Sequence, residues 1–519
     1  MASFSNRHKI EGVLTTRAPL HIGNGDTTER PDCGYLLDDD KEPVDISAVA
    51  TDDAGRAYIP GTAIKGNLRA WASGHADDQK DWEEVFGLQE LGGKAEFWDA
   101  PFLALPDGSF SPGRCWCAQR LTSVAASVAI DRRTRTAGDR RLFHKEFVPK
   151  GVSFQVTITA QDLTPAELEL LLRALEGFNQ TASPVTLGAK TSDDWGRMAW
   201  ELESVRTIDA VKVTEWLDSK SAAAINCSFD DFSNEHQRQS SGIPQPDPGA
   251  NLSIDLALDF SGLFLVNDPS QVRKKPDPLG HAPTSDEAGR PYLPASSFRG
   301  ALRSQAEMIL RTIGGPSAAW RPGERGLTPR REAIEQKSQL ADLCLASQVF
   351  GAPGWRTPIG LTDFTLSAGT EPHYIMHEML AIDRFTGGST EGLKFNAKAL
   401  CRPRLEGTVT ANLEALERSC AGTGGLMLLA FVFRDLIEGD IALGFGAGKG
   451  YGACRVVVRA VHWPRWENIP QVFRKDLTEE DLPDLMTAKP VSEQLKLESQ
   501  IYWFEDLKKT AERRSHAIS

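Results

Sequence analysis

Polar and apolar residues alternate over residues 8–22, as in a half-buried strand, and the pattern ends at the turn Gly23-Asn-Gly25. Alternation returns over residues 152–160, and from Thr164 the spacing becomes that of an amphipathic helix over residues 165–180. Between them, Tyr58-Ile-Pro-Gly-Thr-Ala-Ile-Lys-Gly-Asn-Leu-Arg69 reads as strand, turn and helix start. Pro60 closes the strand, while Thr62 can cap the helix and leave its first N–H groups pointing outward. The same order recurs 234 positions later as Tyr292-Leu-Pro-Ala-Ser-Ser-Phe-Arg-Gly-Ala-Leu-Arg303, with Pro294 and Ser296 in those roles. The chain therefore reads as a tandem duplication.

Further landmarks recur in the same sequence order. Asp52-Asp-Ala-Gly-Arg56 answers Asp286-Glu-Ala-Gly-Arg290 at the 234 offset. Val85-Phe-Gly87 and Asp99 answer Val349-Phe-Gly351 and Asp363 at 264, so the second half carries 30 extra residues around 318–336. Ala129-Ile-Asp-Arg-Arg-Thr134 answers Ala381-Ile-Asp-Arg-Phe-Thr386, and Phe143 answers Phe395, at 252. Both segments lead into loops of Gly, Thr and charged residues, which cannot form core and suggest protruding hairpins. Residues 408–416 and 424–433 are looser counterparts of the strand and helix above. Each half closes on a turn and a strand, Leu187-Gly-Ala-Lys-Thr-Ser-Asp-Asp-Trp-Gly-Arg-Met198 aligning without gaps at 256 with Leu443-Gly-Phe-Gly-Ala-Gly-Lys-Gly-Tyr-Gly-Ala-Cys454. These boundaries give a first domain over 1–210, a linker over 211–249, a second domain over 250–460 and a mostly helical tail over 461–519. The tail's Trp463, Trp466, Tyr502 and Trp503 suit docking.

Length and composition agree with this division. At 519 residues, two repeats with a linker and a tail fit better than three domains, and 40% hydrophobic with 25% charged residues is ordinary for a globular protein. The longest apolar run, 424–433, is about half of a bilayer span, and no signal-peptide core opens the chain, so a cytoplasmic protein without membrane contact is expected. Eight cysteines without metal-type spacing read as reduced, mostly buried thiols. A net charge of −13 counts against indiscriminate nucleic-acid binding but is compatible with a basic groove on an acidic body.

Candidate chemistry gathers at the repeated motifs. Lys65 with Arg69, and Arg299 with Arg303, are spaced i,i+4 and so share a helix face beside N–H groups that attract phosphate. The glycine-dense segment from Gly444 to Gly452 can let a phosphate backbone approach, although Lys449 is followed by Gly450 rather than Ser or Thr, so it is no P-loop, and a plain β-turn fits equally well. His373 and His377, with Glu378 following, could set two metal ligands on one helix face. Covalent hydrolase chemistry is unsupported, since no G-x-S-x-G elbow occurs.

Taken in order, these landmarks resemble those of the RAMP superfamily of CRISPR proteins. The residues concerned are the proline anchor with its Lys or Arg, the Ala-Ile-Asp-Arg-x-Thr segment, Leu142-Phe-His-Lys-Glu-Phe-Val-Pro149 (clear only in the first half) and the closing loop. The resemblance covers about residues 8–208 and 250–460 and is nearest to the backbone subunits of type III effector complexes. It implies an α+β fold of two tandem ferredoxin-like (RRM-like) domains with inserted thumb hairpins, plus a C-terminal tail. The implied partners are guide RNA (crRNA), target single-stranded RNA and other effector subunits. Lys65, Arg69, Arg299 and Arg303 would hold guide phosphates, and Arg132, Arg133, Arg384 and Phe385 would lie near the base displaced by each thumb. Lys190 and Lys449 of the closing loops would also contact RNA.

Active members of that family carry an aspartate before the anchor that supports metal-dependent cleavage of target RNA. Asp45 is the match here and the expected ligand of a divalent ion, Mg or Mn, with Asp40 as the fallback. The second half departs from the pattern: Leu279 stands opposite Asp45, and Asp277 is the nearest acid. The implied activity is that of an endoribonuclease acting within a complex, its second repeat possessing a catalytic acid only if Asp277 serves. Two alternatives stand beside it. One is a metal-free, guide-precursor-processing endoribonuclease of the same superfamily, for which His21 is the early general-base candidate. The other is a non-catalytic RNA-binding scaffold.

Overall fold

The computed structural model describes residues 5–30, 44–73, 79–88, 90–106, 110, 115–130, 137–180, 184–211, 234–236, 249–268, 280–286, 288–319, 340, 343–352, 354–419, 423–471 and 507–508. The chain divides into two compact units: Met1–Ala125, His144–Thr191 and Trp195–Pro248 form one, and Ala126–Phe143, Ser192–Asp194 and Gly249–Ser519 the other.

The first repeat runs β1 (Asn6–Thr16), β2 (Gly23–Thr28), β3 (Ile46–Val49), α1 (Gly61–Ala72), α2 (Gln79–Phe86), β4 (Ala95–Phe97), β5 (Phe102–Ala104), β6 (Ser123–Ile130), β7 (Ala137–Phe147), β8 (Ser153–Gln161), α3 (Pro165–Glu176), β9 (Met198–Asp209) and β10 (Asn234–His236). Its main sheet has the order β10-β9-β1-β8-β4, with β5 beside β8, and these pairs are antiparallel. Stripped to β1, α1, β4, β8, α3 and β9, this is the βαββαβ order of a ferredoxin-like domain. Alternation in β1 and β8 puts Ile10, Leu14, Phe154, Val156 and Ile158 on one face, where Ile64 and Leu68 of α1 and Leu171 and Leu175 of α3 seal them from water. A capping box between Thr164 and Glu167 starts α3 as its sequence predicts. Strand β10 lies inside the stretch read as a linker, which therefore contributes an edge strand to the first sheet.

The second repeat runs β11 (Asn251–Phe260), β12 (Leu263–Phe264), β13 (Tyr292–Leu293), α4 (Ala295–Gly314), α5 (Leu345–Phe350), β14 (Ile359–Leu361), β15 (Phe364–Leu366), β16 (Tyr374–Ile382), β17 (Ser389–Cys401), β18 (Arg404–Asn412), α6 (Leu413–Ser419), α7 (Gly424–Glu438) and β19 (Cys454–His462). The sheet order β13-β15-β18-β11-β19, with β14 also on β18, repeats the first topology. Phe298, Leu302, Ala306 and Leu310 recur every fourth residue on the buried stripe of α4. In each repeat a hairpin interrupts the βαββαβ order before its third strand, β6–β7 in the first and β16–β17 in the second.

Two expectations change. His377 lies in strand β16 and His373 just before it, so the two do not share a helix face. Cys115 is disulfide-bonded to a partner outside the described residues, whereas Cys117, Cys344, Cys401 and Cys454 are free. Residues 472–506 and 509–519 of the tail read as mostly helical lie outside the described residues; within the rest, β19 extends to His462, a 3₁₀ turn covers Trp466–Asn468, Trp463 packs on the second core and Leu507 is buried in it. Among the described residues no helix is long and apolar enough to cross a membrane.

Candidate nucleic-acid interface

Strand β3 runs parallel to β7, with Ile46 opposite His144 and Ser47 opposite Lys145. It is pinned there by Glu146, whose side chain is 0% exposed. Its carboxylate accepts from Val49 N–H at 2.9 Å, from Arg120 Nε at 2.7 Å and Nη2 at 2.8 Å, and from Thr122 Oγ1. This network is the structural content of the Leu142–Pro149 motif. At the 252 offset Glu146 becomes Lys398, which explains the motif's loss in the second half. There the equivalent segment is held without a buried carboxylate, through His281 N–H to the Asn396 carbonyl, Lys398 N–H to the His281 carbonyl and Gly280 N–H to the Asn396 side-chain oxygen at 2.8 Å.

Burial alone would push the Glu146 carboxyl up, yet the hydrogen bonds from Arg120, Thr122 and Val49 outweigh it and hold the group below the usual carboxylate range. A depressed folded-state value gives stability that is complete above the ordinary glutamate value of about 4.3 and is lost as pH falls below it. Glu146→Gln should cost about 3 kcal/mol at neutral pH, because Arg120 keeps a desolvated charge without its partner, and should flatten the acid limb of the Tm-against-pH profile. An unchanged Tm at pH 7 would show the pair to be dispensable.

Asp45 directly precedes β3. It is exposed, and among the described residues it makes no hydrogen bond or ion pair. The bridge between His281 and Ala397 stands where Ser47 and Lys145 pair in the first repeat, as the offsets of 234 and 252 require. Leu279, Asp277 and Asp40 lie outside the described residues.

The anchor helices begin differently from the sequence expectation. Pro60 and Pro294 take the cap positions, and Thr62 and Ser296 are not the caps. Gly61 N–H donates to Asp99 Oδ1 at 2.8 Å and Ala295 N–H to Asp363 Oδ1 at 2.7 Å. A protein carboxylate thus already occupies the anionic position at each helix start. Lys65 is half-buried without a partner among the described residues, and the Arg69 guanidinium lies 5.5 Å over Trp82. The second pair is turned inward. Arg303, 16% exposed, donates to Glu307, to the Gly351 carbonyl and to Ser347. Arg299, 12% exposed, pairs with Asp193 at 2.8 Å and donates to the carbonyls of Ser192 and Ile359 within the second unit.

The closing loops share one backbone path. Positive φ occurs at Gly188, Lys190, Asp194 and Gly196, and at Gly444, Gly446, Gly450 and Gly452, position for position at the 256 offset. Their hydrogen bonds match as well: Ala189 N–H donates to the His21 carbonyl and Phe445 N–H to that of Leu265. The glycine density therefore serves a left-handed turn rather than a phosphate cradle. Lys190 Nζ lies over the Trp195 ring, and the exposed Lys449 has its Nζ over Phe395 and Phe445.

At the tip of the second hairpin, Asp383 Oδ1 accepts from the N–H groups of Phe385 and Thr386, and this turn presents Phe385 at 99% exposure beside the exposed Arg384. Arg132 and Arg133 lie outside the described residues. His21 is buried with Nδ1 on the Glu146 carbonyl at 2.7 Å, which removes it from the surface where a general base must stand. On the open face of the first sheet the central strands present Lys9, Glu11, Val13 and Thr15 beside Ser153, Gln155, Thr157 and Thr159, so no aromatic base platform stands on them. The family model of the RAMP superfamily matches residues 13–199 and 280–455, one stretch in each repeat. No curated protein matches the chain.

Proposed function

Because the chain belongs to the RAMP superfamily, we propose that it is a fused double backbone subunit of a type III CRISPR effector ribonucleoprotein, working in the cytoplasm with other effector subunits. It binds guide RNA along both repeats and cleaves guide-paired target RNA with at least the first. Membership supports a CRISPR-associated RNA-binding role, and the superfamily includes endoribonucleases. The observation that carries the finer reading is the combination of two RAMP-type folds, each with its hairpin, and an exposed carboxylate ahead of the first anchor, Asp45, that has no partner among the described residues.

Asp45, exposed and without a hydrogen-bond or ion-pair partner among the described residues, would offer its oxygens to a magnesium or manganese ion whose other ligands would be water and RNA phosphate oxygens. An ion bound there would stabilise the charge developing on the scissile phosphate. Asp45 holds and orients, and Glu146 keeps the strand behind it in place. Lys65 and Arg69 meet guide phosphates in the first repeat. In the second, where Arg299 and Arg303 are engaged inside the protein, that role falls to Lys449.

Salt titration of guide retention by the assembled complex tests this division. Lys65→Ala should lower the slope of log K against log salt by about 1 and leave Tm unchanged. Arg303→Ala should do the reverse, lowering Tm because the buried Glu307, Ser347 and the Gly351 carbonyl lose the hydrogen bonds Arg303 donates, with the slope kept. An unaltered slope in Lys65→Ala would take the first anchor helix off the RNA path.

A further inference from the structure

Lys190 and Lys449 come from different positions of equivalent loops, yet each sets its ammonium over an aromatic ring where the closing loop meets the hairpin stem. In the first repeat Lys190 Nζ is 4.7 Å from the Trp195 ring centroid, and Trp195 packs on Phe147 of β7 at 5.5 Å. In the second, Lys449 Nζ is 4.3 Å from Phe395 of β17 and 5.0 Å from Phe445 of the loop. His281 packs on Phe445 at 4.4 Å and edge-on to Phe395 at 6.1 Å. The gap-free alignment pairs Lys190 with Gly446 and Lys449 with Asp193, so the two lysines do not occupy equivalent positions. The two repeats thus place a cation over an aromatic ring from different loop positions.

Two observations show that these joints are more than packing. Lys190 sits at φ 58°, where its counterpart is Gly446 at φ 82°. A lysine held in a left-handed conformation that glycine adopts freely is backbone strain retained for the side chain. In the second repeat, His281 Nδ1 is shut off from solvent with no hydrogen-bond partner among the described residues, a polar atom within the ring cluster.

We propose that each joint is a seat for one nucleotide of single-stranded RNA, with the base stacked on Trp195 in the first repeat and on Phe445 and Phe395 in the second, and the phosphate on the neighbouring lysine. The inference rests on the RNA-binding function proposed above. Without RNA, the lysine covers the ring face as a weak cation–π contact; a phosphate draws it away, since a charge-assisted bond is the stronger. Stacking and phosphate contact are both blind to base identity, which suits a protein that must hold guides of differing sequence.

The test is ultraviolet cross-linking of the assembled complex carrying a guide substituted with 5-iodouridine, with the cross-linked residues mapped by mass spectrometry. Cross-links are expected at Trp195 and at Phe445 or Phe395. Phe445→Leu, which keeps an apolar side chain, should remove the second-repeat cross-link and weaken guide retention about tenfold. Lys190→Gly relaxes the backbone, so Tm should hold or rise while the salt slope falls by about 1. A lysine that only fastens the loop gives the opposite, a lower Tm with an unchanged slope, and overturns the proposal. Guide retained normally by both variants, with cross-links elsewhere, overturns the seats and leaves the RNA-binding function standing. Failure of the wild-type complex to retain any guide removes both.

Discussion

Asp45→Ala should remove one product of target-RNA cleavage from a magnesium- or manganese-dependent assay, lowering the rate at that position by about a thousandfold or more. Loss of a carboxylate that holds a catalytic ion forfeits several kcal/mol of transition-state stabilisation, and each 1.4 kcal/mol is about a factor of ten. The variant should fold and assemble normally, because Asp45 is exposed and bonds to nothing among the described residues; such surface substitutions usually stay within about 0.5 kcal/mol. Guide binding should survive, since the cations that meet phosphate lie elsewhere. Asp277→Ala removes a second product only if that displaced acid serves the second repeat. A complete product ladder from an Asp45→Ala, Asp40→Ala double variant would end the assignment of catalysis to this loop, and wild-type cleavage that persists in EDTA would point to the metal-free class instead.

The order of elements was readable because duplication supplied most landmarks twice. Alternation in β1 and β8, the Thr164 capping box and the offsets of 234, 252 and 256 each reappear as strands, a helix start and equivalent registers. What spacing could not carry was the company a side chain keeps. An i,i+4 pair says that Arg299 and Arg303 share a face, but not that Ser347, Gly351 and Thr357 come from a distant segment to meet them. Asp99 and Asp363 stood out as matched landmarks, yet they cap helices through contacts 38 and 68 residues long. Residues 374–382, rich in Met, Leu, Glu and Ala, favour helix by propensity, and pairing with β17 overrides it. The joint of Lys449, Phe395, Phe445 and His281 brings together three separate segments. In the sequence Phe395 stood out as a repeated landmark and Lys449 as a loop cation, with no spacing to show that they meet.

Gly196→Ala and Gly452→Ala should be the most destabilising single-methyl additions in the closing loops, each costing about 3 kcal/mol or more. Both residues lie at positive φ, 75° and 80°, and a Cβ at either would overlap the carbonyl oxygen of Leu187 or Leu443, which is backbone and cannot step aside. Relief requires opening the turn. That sacrifices Leu187 N–H to the Gly196 carbonyl and Gly196 N–H to the Pro19 carbonyl in one repeat, and Leu443 N–H to the Gly452 carbonyl and Gly452 N–H to the Leu263 carbonyl in the other. At about 1 kcal/mol per hydrogen bond, the losses add to the strain, and a drop of roughly 10 °C in Tm follows for a unit of this size. Two neighbours grade the effect. Gly450 has open space but φ 81°, so Gly450→Ala should cost about 1 kcal/mol. Gly448 has open space and no positive φ, so Gly448→Ala should be neutral or slightly stabilising. Thermal melts of the three second-repeat variants should therefore rank Gly452, Gly450 and Gly448 in falling order of damage. Equal melts across the series would mean that the glycines serve close approach to a ligand rather than the turn, and the three would then separate in RNA binding instead.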